Sequence, residues 1–93
     1  MTVEEQMKAA EQFAELWKAL MPDFAVPERQ QFLLWVGTYS EELVSRGINR
    51  AGCKRRKMRD TSTPMTVDEA IRYAASVMKN ETLGRKVFAR GAA

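Results

Sequence analysis

The sequence predicts an all-α fold, a compact bundle of four helices, and three observations carry that prediction. Apolar residues recur at threes and fours through most of the chain, the spacing that gathers side chains on one face of a helix. The pattern Thr-x-x-Glu occurs at Thr2/Glu5, Thr38/Glu41 and Thr66/Glu69, each just ahead of an apolar run, where hydroxyl and carboxylate can satisfy the orphan amides of a first helical turn. No stretch of useful length alternates apolar and polar residues as a strand would, and no internal repeat or low-complexity segment interrupts the chain.

The first helix is expected to start at Thr2. Val3, Met7, Ala10, Phe13, Ala14, Trp17, Leu20 and Met21 form its stripe, and Pro22 with Asp23 ends it. Pro27 suits the first turn of a second helix, where its missing N–H would be unpaired anyway. The run FLLWV, Phe32 to Val36, is apolar on every side and predicts a helix buried on more than one face, at the centre of the core. Gly37 is expected to interrupt it, with Thr38/Glu41 opening a third helix over 39–58. Leu43, Val44, Ile48, Ala51 and Met58 form that helix's stripe, and Gly47 on the same face would allow a close helix crossing. DTSTPMT, residues 60–66, is turn chemistry. A fourth helix follows from Thr66/Glu69 to about residue 80, and Gly84 is a plausible stop. The basic tail 84–93 reads as either a short fifth helix or a frayed, flexible end.

Composition bounds the function. A chain of 93 residues with 45% hydrophobic and 29% charged side chains is a single domain, 1–93, with a modest core, since this size buries only somewhat over about 60% of its unfolded surface. The start MTVEEQMK has neither the basic nor the apolar region of a secretory leader, and no apolar run approaches a bilayer span. A soluble cytoplasmic protein with no membrane contact is therefore expected. With Cys53 the only cysteine and no histidine, no intrachain disulfide and no common zinc set can form, so neither metal nor cofactor is expected.

Catalysis has little to draw on. Without histidine, a general base would have to be a perturbed carboxylate or lysine, and nothing marks one out. The acid pairs Glu4/Glu5, Glu41/Glu42 and Asp68/Glu69 fall in predicted first helical turns, where they complement the helix dipole. No glycine-rich phosphate loop is present. The thiol of Cys53, beside Lys54, Arg55, Arg56 and Lys57, is either a reactive group or a small residue at a helix edge. A non-enzymatic role is expected.

Charge is the most informative feature. Residues 1–45 carry eight acidic against three basic side chains, whereas residues 46–93 carry twelve basic against four acidic. The basic half concentrates in seven cations between positions 46 and 59 with no acid among them: Arg46, Arg50, Lys54, Arg55, Arg56, Lys57 and Arg59. On a wheel at about 100° per residue, Arg46, Arg50 and Lys57 share a narrow sector beside the apolar stripe, Lys54 lies near its border, and Arg56 falls on the opposite face. Cations favour a helix C-terminus, and long basic stems cover apolar surface. That accounts for one or two. Seven repel one another, and an anionic partner is the simplest relief, most commonly a phosphate backbone.

The expected partner is thus nucleic acid, DNA before RNA, held by these seven residues with Arg85, Lys86 and Arg90 secondary. Such contacts position a backbone without reading sequence. Phe13, Trp17, Phe32 and Trp35 sit in core patterns, leaving Tyr39, Tyr73 and Phe88 as aromatics able to assist. The alternative is a homo-oligomeric or adaptor module whose basic half meets an acidic partner face. An exposed surface of Phe13, Trp17 and Leu20 would favour it.

From Phe32 onward, FLLWVGTYSEELVSRGINRA, a basic and polar connection, and DEAIRYAASVMKNE resemble the DnaD-like helical domain of bacterial and phage primosomal replication proteins. The resemblance covers residues 32–81. That family's final helix carries a Tyr-x-x-x-Ile-x-x-x-Trp motif, whose first two positions fall on Tyr73 and Val77. Glu81 stands at the third, where the family has Trp. The resemblance implies a DNA replication role in initiation or helicase loading, DNA contact near the motif's end and the basic tail, self-association, and action by binding without catalysis.

Overall fold

The computed structural model describes the backbone of residues 2–58, 61 and 63–92, and the side chains of those up to residue 83. Four helices follow in order, α1 (Val3–Leu20), α2 (Arg29–Thr38), α3 (Glu41–Met58) and α4 (Val67–Ala92), with no strand among the described residues. The predicted all-α bundle is the fold.

Local chemistry sets most of the helix ends. Thr2 caps α1, its Oγ1 accepting from the Glu5 N–H at 3.1 Å. Thr66 caps α4, its Oγ1 accepting from the Glu69 N–H at 3.2 Å and donating to Glu69 Oε1 at 3.1 Å. The middle box is different. Thr38 is the last residue of α2 and its hydroxyl donates back to the Leu34 carbonyl at 2.7 Å. Ser40 caps α3 instead, its Oγ accepting from the Leu43 N–H at 3.2 Å. The break between α2 and α3 lies at Tyr39, whose backbone is extended at φ −123° and ψ 162°, and α2 runs through Gly37.

Two further boundaries depart from expectation. Pro27 stands ahead of α2, outside its first turn, because Glu28 keeps an extended ψ of 152° and the helix starts one residue later. At the other end, α4 continues unbroken through Gly84 to Ala92, with no separate fifth helix. One glycine in a helix costs about 1 kcal/mol relative to alanine, too little by itself to stop one.

The core is built where the stripes meet. Trp17 from α1, Met21 just past its end, Phe32 from α2, Val44 and Ile48 from α3 and Met78 from α4 are fully buried. Phe32 lies edge-on between two indoles, its centroid 6.4 Å from Trp17 and 5.7 Å from Trp35, the arrangement that ring quadrupoles favour. The core reached by α1 begins at Ala9, and Val3 and Met7 are exposed. FLLWV is central but not buried all round: Phe32, Trp35 and Val36 point inward, Leu33 is half-buried, and Leu34 is 63% exposed. Ten residues make too short a helix to be surrounded in a bundle of this size, so one face meets solvent.

Helix α4 lies along α3, and Gly47 makes the contact possible. A Cβ at that position would sit 2.8 Å from the Ala74 carbonyl oxygen and 2.8 Å from Met78 Cε, inside van der Waals contact. The absent side chain brings the two helices together as the sequence predicts. Their shared outer edge carries Arg46, Arg50, Lys54 and Lys57.

Candidate functional site

Helix order reaches Met58, so the basic residues up to Lys57 stand on a helix. Arg59 lies outside the described residues, as do the side chains of Arg85, Lys86, Arg90 and Phe88. The remaining six predicted contact residues divide into two groups.

Arg55 leaves the band. Nine residues separate it from Arg46, about two and a half turns, so it emerges on the opposite side of α3. There its guanidinium pairs with Asp23 and lies 4.8 Å over the ring of Phe24, with only 12% of the side chain exposed. The wheel reading placed Arg56 on the far face; Arg55 is the residue that turns away to close the α1–α2 connection. Arg46 stays on the band yet is occupied. It bonds Glu42 Oε1 at 3.0 Å one turn back and Glu81 Oε2 on α4 at 3.0 Å. It works as a clamp between α3 and α4.

Arg50, Lys54 and Lys57 are brought together. With Cys53 and Tyr73 they line a groove of about 490 Å³ along the α3–α4 edge, and all three cations are exposed. Arg50 has Glu81 Oε1 at 3.9 Å, the outer limit of an ion pair, and is 60% exposed. Lys54 holds its Nζ 4.3 Å from the centroid of Tyr73. Lys57 has no ion-pair partner among the described residues. Arg56 is exposed on the neighbouring side and donates to Cys53 Sγ at 3.6 Å.

Electrostatic relief therefore comes partly from within the chain. Charge repulsion along 46–59 is answered by Glu42, Glu81 and Asp23, none of which lies inside the run. Glu81 escaped the sequence reading as a partner, although a signal was present: it continues the Ala70, Ala74, Val77 stripe of α4 by one more turn. At that position its carboxylate faces Arg46 and Arg50 on α3. Asp23, in a connection, gives no such signal.

Other candidates resolve simply. The three acid pairs occupy first helical turns, as the capping argument expects. Among the described residues no cluster of His, Cys, Asp or Glu is suited to a metal ion, and no helix is long and apolar enough to cross a membrane. Phe13 and Trp17 are buried and Leu20 is packed against the core, so the exposed α1 surface that would favour an oligomer is not there. Tyr39 and Tyr73 are half-buried.

No family model, curated protein or solved structure matches this chain. Its function has to be argued from the groove.

Proposed function

We propose that this protein binds nucleic acid without catalysing a reaction, through phosphate contacts made by Arg50, Lys54 and Lys57, with Arg56 and the more distal basic residues adding to the field. The observation that carries the reading is the gathering of three exposed cations in one groove where, among the described residues, the one ion pair any of the three makes is the 3.9 Å contact of Arg50 with Glu81. About one negative charge per 3.4 Å of strand is the matching partner. Arg46 and Arg55 are excluded from the contact set because carboxylates already hold them.

The resemblance to the DnaD-like domain supports placing the activity in DNA replication, as an initiation or helicase-loading accessory in the cytoplasm. Its motif positions Tyr73 and Glu81 border the same edge of α4, where Lys54, Arg46 and Arg50 meet them. A protein-interaction role is favoured by a different face. Val26 and Leu34 are exposed beside a groove of about 480 Å³ shared with Val67 and Ile71.

The test is fluorescence anisotropy with labelled single- and double-stranded DNA and RNA at about 50 and 200 mM salt, a range with large leverage on counterion release. Three phosphate contacts predict an affinity loss of about 20- to 40-fold between those salts. The triple variant Arg50→Ala, Lys54→Ala, Lys57→Ala should lose most of the binding while Arg55→Ala retains it. No binding at the lower salt rejects the reading and turns attention to the Leu34 face.

A further inference from the structure

The cationic groove does not end at Tyr73. A second depression, about 360 Å³, continues from it between the end of α3 and the first half of α4, and the two share Lys54 and Tyr73 in their lining. Its character is different. Met58, Met65 and Tyr73, each buried or half-buried, supply apolar surface, whereas Glu69 and Ser76 at its rim are exposed and polar. Arg72 completes the rim on α4.

An apolar floor with a polar rim suits a flat ring that has apolar faces and a hydrogen-bonding edge. A nucleobase has that form. The volume, about 360 Å³, falls at the lower end of the roughly 300–1,000 Å³ range of small-molecule pockets, enough to take a single base. Methionine thioethers make favourable contacts with aromatic rings and adapt to their shape. The Glu69 carboxylate accepts hydrogen bonds, from the ring N3–H of thymine as from the exocyclic amino groups of adenine, cytosine and guanine, and the Ser76 hydroxyl donates or accepts.

We propose that this second depression is a base-binding pocket, so that a single strand laid with its phosphates on Arg50, Lys54 and Lys57 turns an unpaired base past Tyr73 onto Met58 and Met65. This rests on the nucleic-acid reading and adds the class of substrate to it: single-stranded nucleic acid is preferred over duplex. In a duplex the bases are stacked and paired inside, so only the phosphate contacts remain. Lys54 is the hinge of the arrangement, since it lines both depressions and sits against the ring that divides them.

The experiment compares three labelled ligands of equal length on the wild-type protein: a thymidine single strand, the same backbone with abasic sites throughout, and a duplex. Base contact predicts binding of the thymidine strand about five-fold or more tighter than the abasic strand. Ser76→Leu, an exposed helical position whose larger side chain fills the pocket without adding a ring, should erase that difference while leaving the abasic strand and the duplex unchanged. Equal binding of thymidine and abasic strands would overturn the pocket and leave a purely electrostatic groove. A difference that survives Ser76→Leu would also overturn it, by moving the base contact elsewhere. Failure of all three ligands to bind removes the nucleic-acid reading itself, and the pocket with it.

Discussion

Arg55 and Asp23 are joined across the bundle, one from the C-terminal turn of α3 and the other from the connection after α1. The pair withdraws from solvent a cation that stands within the densest basic run of the chain. Its guanidinium also covers Phe24, so the residue contributes through packing as well as charge. Arg55→Ala is expected to cost about 1–2 kcal/mol of stability, read from urea denaturation, while nucleic-acid affinity changes less than for Lys57→Ala. The opposite ranking would place Arg55 in the interface.

Glu81 divides its carboxylate between two arginines, one oxygen 3.0 Å from Arg46 and the other 3.9 Å from Arg50. The long contact to a 60% exposed Arg50 is the one a phosphate can displace. Glu81→Gln should tighten nucleic-acid binding by about 1.5- to 5-fold, the scale of an exposed ion pair. The gain should shrink when Arg50 is already alanine. Glu11→Gln, with the same change in net charge on an exposed face of α1, should produce no comparable effect. If both glutamine variants tighten binding equally, net charge alone is acting.

The limits of the sequence reading have physical causes. Helix number, the caps at Thr2 and Thr66, a close crossing on the Gly47 face of α3 and the burial of both tryptophans were all legible, because each follows from spacing within one helix; that α4 is the helix crossing there was not. The break between α2 and α3 was not. Thr38 and Ser40 are both competent hydroxyls, and the outcome turned on the extended backbone of Tyr39. The exposure of Leu34 escaped for a related reason, since apolar composition alone does not say which side of a short helix lacks a neighbour. For the site, the sequence located the cations but not their partners. Asp23 and Glu81 reach them only through tertiary packing.

Trp17 is fully buried, yet its indole Nε1 has no hydrogen-bond partner among the described residues. An unsatisfied buried donor costs about 1–3 kcal/mol. Trp17→Phe removes that donor while leaving a ring to meet Phe32, so relief partly offsets the void. It is expected to cost less than about 1.5 kcal/mol, against about 3–5 kcal/mol for Trp17→Ala. Thermal denaturation of the two variants distinguishes them. A Trp17→Phe loss clearly above about 1.5 kcal/mol would mean that the Nε1–H is satisfied in solution.

Gly47 and Gly37 offer an internal comparison, since both lie inside helices with no positive φ. At Gly37 an added Cβ meets nothing within 4 Å, so Gly37→Ala gains helix propensity and loses no contact. A stabilisation of about 0.5–1 kcal/mol is expected. At Gly47 the added carbon would lie 2.8 Å from the Ala74 carbonyl, which belongs to the backbone of α4 and cannot rotate aside. The same substitution should therefore destabilise by about 1–3 kcal/mol, the usual cost of overpacking. It should also act at a distance. Separating α3 from α4 lengthens the Arg46–Glu81 bond and moves Tyr73 from beneath Lys54, so Gly47→Ala should weaken nucleic-acid binding under conditions where the variant remains folded, while Gly37→Ala leaves it unchanged. Opposite stability shifts together with a selective loss of binding would tie the groove to the close approach of these two helices. A folded Gly47→Ala protein with wild-type affinity would show that the cations act from α3 alone.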